Sequence, residues 1–294
     1  MGQYSIKELE KLTGIKAHTI RIWEKRHQII SPRRTETNIR YYSDDDLKKI
    51  INVSLLNNHG VKISKIAALQ PDQLARQVHE LSTIHSLADI HIDRLVMAMI
   101  DLDESMFEKI MADLILRFGF EKAITGIVYP FLEKIGILWL THNITPAQEH
   151  FISNLIRQKI IVGIDALPHA PKSAPGVLFF LPEQELHELG LLFYHYVVKK
   201  AGYRTWYLGQ TVPYADLMSV CHTHHPSILI TAITSSPSLG AIQGYLNKLC
   251  KDCPDSTILT SGQIVKKANL QKPSNLRIIG TIEELRANLA LHNV

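Results

Sequence analysis

The sequence predicts a multidomain α and α/β protein, and three observations carry that prediction. At 294 residues the chain is long enough for two domains, or three small ones, with a full hydrophobic core and no need of disulfides. Its apolar periodicity changes along the chain. Short helical patterns broken by turns cover 4–69, sustained three- and four-residue spacing covers 72–166, and strand-length apolar runs then alternate with helical segments. The charge is divided as well: residues 1–80 hold 14 Lys and Arg against 9 Asp and Glu, and the remainder holds 18 against 19. A basic module on a neutral body indicates a polyanion-binding head with something else behind it. Charge alone does not separate DNA from RNA or a membrane surface.

Composition narrows the classes further. With 46% hydrophobic and 20% charged residues and a mean hydropathy of +0.01, the chain reads as ordinary globular protein, not as a disordered, collagenous or coiled-coil one. Its three cysteines, Cys221, Cys250 and Cys253, are too few and too late for a disulfide framework, so a reducing cytoplasm is expected. The N-terminus has no apolar signal core, and apolar runs such as 228–233 are too short to cross a bilayer.

Residues 1–72 form the predicted head. Tyr4-Ser5-Ile6-Lys7-Glu8-Leu9 opens a helix, with Ser5 as N-cap and Glu8 three residues later. Thr13-Gly14-Ile15 makes a tight turn, and 17–25 forms a second helix. Helix, short glycine turn, helix is the helix-turn-helix pattern, whose second helix enters a major groove. His18, Thr19, Arg21 and Lys25 suit base and phosphate contacts there, while Ile20 and Trp23 pack inward. Pro32-Arg33-Arg34-Thr35 and Asn38-Ile39-Arg40-Tyr41-Tyr42-Ser43 follow, before the acidic helix start Asp44-Asp45-Asp46-Leu47.

Residues 73–168 are nearly all helical in period and read as a four-helix-type bundle, with Pro130 and Pro146 marking helix boundaries. Glu149 and His150 then fall near the start of the helix that Pro146 opens, separated from Trp139 by nine residues. A Pro-rich connector, His169-Ala170-Pro171-Lys172-Ser173-Ala174-Pro175-Gly176, ends this part.

Residues 176–294 show buried-strand runs at 177–181, 204–208, 228–233, 257–260 and 277–279, with helical segments at 187–201, 213–225, 238–252, 263–270 and 281–291. That alternation predicts a flavodoxin-like (Rossmann-like) parallel sheet with helices on both faces. Glu185-Leu186-His187-Glu188-Leu189-Gly190 follows the first strand directly, which puts His187 at the carboxyl edge of the sheet, where ligands bind in such folds. A neutral imidazole coordinates a transition metal, a nearby carboxylate orients its other nitrogen, and glycine lets a helix start close to a bulky ligand. The lone Cys250-Lys251-Asp252-Cys253 reads as paired thiols at a helix end, and His222-Thr223-His224-His225 as a solvated one.

Several of these motifs carry family resemblances. The Thr19-Ile20-Arg21-Ile22-Trp23-Glu24 core, the Arg40-Tyr41-Tyr42-Ser43 wing and the Gly60-Val61 turn resemble the winged helix-turn-helix head of MerR-family transcription regulators. The resemblance implies that Arg21, Arg40 and Tyr41 contact DNA backbone and that Thr19 and His18 lie nearer the bases, with Lys25 and Arg33 as further contacts. Glu185-x-His187-x-x-Gly190 resembles the motif of cobalamin-binding domains in which the histidine is the lower axial cobalt ligand. Trp139 with Glu149-His150 resembles light-responsive repressors of the CarH type, where these residues cover the upper, adenosyl-bearing face of the corrin.

The sequence departs from those patterns. The position after Trp139 is Leu140, where some light sensors carry a second histidine. Thr231-Ala232-Ile233-Thr234 stands for the usual Ser-x-Leu, and Ser261-Gly262 for a Gly-Gly pair. What the resemblance implies is a cytoplasmic, non-enzymatic DNA-binding repressor that senses adenosylcobalamin, and light through it. Its partners would be a double-stranded operator and copies of itself, as a dimer or a ligand-dependent tetramer, with no membrane. The alternative is a MerR-type regulator whose degenerate cobalamin-like domain takes another ligand, or a protein partner, and no cobalamin.

Overall fold

A computed structural model of the chain describes residues 3–35, 38–58, 60–84, 88–140, 144–234, 238–268 and 270–291. They fall into two compact units, Met1–Leu155 and Ile156–Val294.

In the first unit, Ser5 caps α1 (Ile6–Thr13). Its hydroxyl accepts from the Glu8 N–H while the Glu8 carboxylate accepts from the Ser5 N–H, as the sequence predicts. Gly14, at φ +72°, ends the helix in the left-handed conformation and turns the chain into α2 (Ala17–His27). Glu10 reaches forward to accept from the Ala17 N–H and to pair with Lys16, so the first helix caps the second. The Ala17 N–H first, and then Lys16, hold the Glu10 carboxyl below its ordinary value. A two-stranded antiparallel wing, β1 (Arg33–Arg34) and β2 (Arg40–Tyr41), leads to α3 (Asp44–Asn58), where Ser43 and Asp46 cap reciprocally. The chain continues through α4 (Ile63–Ala67) and α5 (Pro71–Ile84).

The helical region runs α6 (Ala88–Asp101), α7 (Glu104–Phe118), α8 (Phe120–Ala123), a π-helical turn at Ile124–Val128, α9 (Tyr129–Leu140) and α10 (Pro146–Asp165). α6 is buried along nearly its whole length, and its Asp93 pairs with Lys134 of α9 at 2.5 Å. Pro146 opens α10 as expected, with Thr145 and Gln148 capping each other. Pro130 does not mark the break expected of it. The π turn before it, in which the Tyr129 N–H bonds back to the Ile124 carbonyl, widens the ladder where proline removes a donor, and the helix runs on.

The second unit carries β3 (Gly176–Pro182), α11 (Leu189–Lys200), β4 (Arg204–Val212), α12 (Tyr214–His224), β5 (Ile228–Ala232), α13 (Leu239–Asp252), β6 (Thr257–Ser261), α14 (Gln263–Lys267), β7 (Leu276–Ile278) and α15 (Ile282–Ala290). The sheet order is β4-β3-β5-β6-β7, parallel throughout, which is the flavodoxin-like order the alternation predicts. One face is sealed by Leu217 of α12 and Leu246 and Leu249 of α13 against Leu178, Leu229 and Ile258. Two boundaries differ from expectation. β4 extends to Val212 through an irregularity at Gly209, φ +84°, and α14 stops at Lys267 because Ala268 is already extended.

The order reverses between β3 and β5. The connections leaving their carboxyl ends therefore diverge, and an α/β sheet opens a crevice at that point.

Candidate functional site

The nucleic-acid face of the head is set by how α2 is anchored. Ile20 and Trp23 are buried, which turns His18, Arg21, Lys25 and Arg26 outward along one stripe, with Thr19 half-buried beside His18. Arg21, Ile22, Lys25 and Arg26 line a hollow of about 480 Å³. Ile22 is 45% exposed among them, a contact candidate that the sequence reading did not single out although its helical spacing from His18 and Lys25 reveals it. Arg33 and Arg40 are exposed on the wing and Tyr41 is half-buried. Two buried tyrosines fasten the wing to the helices. The Tyr42 hydroxyl donates to Glu24 of α2, and Tyr4, bridged to Tyr42 through the backbone, donates to Asp44 at 2.8 Å. Burial first, then the carboxylate each one faces, push both phenols up, so they remain donors.

At the sheet edge the structure brings Glu185, His187 and Thr234 together across the switch point. Glu185 is 2% exposed. Its Oε1 accepts from the His187 Nδ1 at 2.6 Å, the Thr234 hydroxyl at 2.9 Å and the Leu186 and His187 N–H groups at 3.1 Å, while Oε2 accepts from the Thr234 N–H at 2.7 Å. A carboxylate loaded with backbone donors is an acceptor, so His187 holds its proton on Nδ1 and the neutral ring keeps its lone pair on Nε2. The His187 side chain is 67% exposed. The arrangement is a coordinating nitrogen presented at the surface by a buried, fully oriented carboxylate.

The neighbouring positions divide by role. Gly190 borders open space. At Gly262, φ +123°, a Cβ would stand 1.9 Å from the Ile233 carbonyl oxygen, so glycine is demanded there by the close approach of β6 to β5. Ser261, the side chain that departs from Gly-Gly, is buried. The hydroxyls of Thr231 and Thr260, register partners on β5 and β6, are fully buried with no hydrogen-bond partner among the described residues. On α10, Glu149 pairs with His150 at 2.8 Å and accepts from Ser153 at 2.7 Å. Trp139 and Leu140 end α9, and their side chains, like His142, lie outside the described set. The three cysteines are buried, all within the apolar cluster under α12 and α13.

The sequence reading missed a second buried carboxylate in the same loop. Glu188 accepts from Arg157 Nε of α10 at 2.5 Å and from the Tyr207 hydroxyl of β4 at 3.1 Å. Burial, then Glu188, push the Tyr207 phenol up and keep it a donor.

Comparison with known proteins finds family matches on the head and on the helical region that follows it. Residues 4–73 match the MerR HTH family regulatory protein model, and residues 91–162 match the B12 binding domain model. The HTH-type transcriptional repressor CarH of Myxococcus xanthus is 27% identical over 257 residues, covering 85% of this chain and 85% of the relative. CarA of the same organism, also an HTH-type transcriptional repressor, is 25% identical over 259 residues, 87% of this chain and 85% of the relative. Among solved structures, the monomethylamine corrinoid protein of Methanosarcina barkeri aligns with a TM-score of 0.55 at 14% identity, over 71% of this chain and 100% of that one, a likeness of fold alone. No helix among the described residues is long and apolar enough to cross a membrane. The two domain matches lie on one chain in this order, a MerR-type helix-turn-helix head followed by a B12 binding domain, and the chain is similar over most of its length to the two repressors.

Proposed function

We propose that the chain is a cytoplasmic, non-enzymatic repressor that binds operator DNA through its head and takes adenosylcobalamin as its signal. The observation that carries the cofactor half is the Glu185–His187 pair at 2.6 Å, tied by Glu185 to Thr234 across the switch point. A single imidazole secures a metal ion when the ion arrives with its other ligands, as it does in a corrin macrocycle. The residues present fit such a group: His187 offers Nε2, Glu185 fixes its tautomer, Gly190 leaves room, and the Thr231 and Thr260 hydroxyls offer unclaimed polar contacts. When bound, the cofactor would supply cobalt as a Lewis acid for His187 and, in its adenosyl form, a light-sensitive cobalt–carbon bond.

In this reading, which rests on the resemblance of Trp139 and Glu149-His150, these residues serve the upper face. MerR-type heads read paired half-sites, so affinity depends on more than one head per assembly. Adenosylcobalamin in the dark then favours a higher assembly, a tetramer by resemblance, and tight DNA binding, while illumination lowers both.

Titrating the purified protein with adenosylcobalamin and hydroxocobalamin tests the cofactor reading. Micromolar or tighter binding with a histidine-coordinated spectrum, lost in His187→Ala, is expected. Absence of binding at micromolar concentrations overturns it and leaves a MerR-type regulator of another ligand. Size exclusion of dark and illuminated holoprotein tests the light response, and identical elution with identical DNA affinity rules it out.

A further inference from the structure

His187 stands between two buried carboxylates that do different things. Glu185, two residues before it, grips the imidazole itself. Glu188, the residue after it, is held by other groups. It is 7% exposed, and its side chain is held from one side by Arg157 at 2.5 Å and from the other by the Tyr207 hydroxyl at 3.1 Å. Its backbone is engaged too: the Glu188 N–H donates to the Leu186 carbonyl at 2.9 Å, and the Glu188 carbonyl accepts from Leu192 in the first turn of α11 at 2.8 Å. Gln210 of β4 adds a third hold, donating to the Leu186 carbonyl at 2.6 Å.

A buried carboxylate with a half-exposed arginine is a poor device for stability alone. The desolvation cost of such a pair offsets much of its attraction, and apolar residues of similar volume commonly do as well. What it does supply is a fixed position. We infer that Glu188, clamped by Arg157 and Tyr207, is a positioning residue that sets the height and direction of His187 for cobalt. The inference rests on the proposed role of His187 and adds to it the groups that hold its backbone. Arg157 lies two turns after Glu149 and His150 on the same helix, α10, so one arm of the clamp belongs to the helix that carries two of the proposed upper-face residues. The other arm, Tyr207, lies on the edge strand just before the irregularity at Gly209. A change in α10 therefore has a direct route to the lower ligand.

The test uses the full-length protein loaded with hydroxocobalamin and reads the absorption signature of histidine coordination, the affinity, and the melting temperature of the cofactor-free form. Glu188→Gln is expected to weaken binding roughly tenfold or more and to move the spectrum toward that of His187→Ala, in line with the usual effect of removing an outer partner of a metal ligand. Arg157→Gln does the same, and Arg157→Lys, which keeps the charge, recovers part of the signature. Tyr207→Phe, which removes only a hydroxyl, gives a smaller loss without lowering the melting temperature by more than a few degrees. The inference is overturned if Glu188→Gln and Tyr207→Phe keep wild-type spectrum and affinity while His187→Ala loses both. If Glu188→Gln does not fold, Tyr207→Phe and the Arg157 pair decide alone. An unchanged spectrum in His187→Ala would instead remove the coordination reading, and the clamp's purpose with it.

Discussion

In the head, the residues proposed to meet DNA are the exposed ones: Arg21, Lys25 and Arg40 stand in solvent, held there by the buried Tyr4, Tyr42, Ile20 and Trp23. At the sheet edge the weight is reversed. One exposed ring, His187, depends on Glu185 and Glu188, both buried and both bonded to residues far along the chain. The head is built to offer many replaceable charges, each worth little alone, as suits a polyanion whose counterions are released on binding. The sheet edge is built to offer one nitrogen in one orientation. Loss of a single group should therefore be graded in the head and abrupt at the sheet edge.

Gly262→Ala probes the abrupt end most severely. A methyl group 1.9 Å from the Ile233 carbonyl, at a φ of +123°, must push β6 from β5 just where Thr234 meets Glu185. A loss on the order of 3 kcal/mol in the sheet domain is expected, read as a lowered melting temperature together with lost cobalamin binding. A variant as stable as wild type would show that the close approach is not needed.

In the head, Arg21→Ala or Arg40→Ala should each cost roughly 1–3 kcal/mol of DNA affinity where the contact is to a base, and less where it is to one phosphate. Binding should weaken steeply with salt, and each variant should flatten that slope slightly. Gel-shift titrations at several salt concentrations measure both, and salt-independent binding would contradict the assignment of this face.

His195, stacked on Tyr207, tilted against Phe179 and bonded to Thr205 at 2.9 Å, sharpens the contrast through pH. Burial, then Lys199, push its imidazole down from 6.5 to about 4. Between those values the unfolded chain binds a proton that the folded one refuses, so the sheet domain loses stability as pH falls through 6.5 toward 4. A loss of about 1–2 kcal/mol between pH 7 and pH 5 is expected, absent in His195→Gln. Equal pH profiles for the two proteins would count against it.

The smallest effect belongs to Ile22. Exposed among Arg21, Lys25 and Arg26, it offers an apolar contact to a thymine methyl. Ile22→Ala should lower affinity by less than about 1 kcal/mol, and replacing the matching thymine by uracil should affect only the wild type.

The same contrast explains what could be read from the sequence. The capping box at Ser5, the Gly14 turn and the acidic start of α3 are local signals within a few residues, and the structure reproduces them. Strand–helix alternation was enough to predict the parallel sheet. The Glu185–His187 pair was also visible, since two residues span it. Its bond to Thr234 joins positions 49 apart, and the Glu188 clamp reaches Tyr207 across 19 and Arg157 across 31, distances over which no periodicity speaks. Nothing in the sequence marks Glu188 as buried, because the two groups that hold it come from another helix and another strand. Pro130 misled for a related reason, since the π turn that accommodates it is a property of the helix as a whole.

The central claim is that occupancy at His187 governs the grip of the head on DNA. Its most direct test is the affinity for a duplex enriched by this protein from a random pool, measured in the dark with and without adenosylcobalamin. For the wild type, cofactor should tighten binding by roughly tenfold or more, within the usual range of coupling between sites, and His187→Ala should show no such difference. Equal affinity with and without cofactor, in protein proven to hold it, would contradict the account.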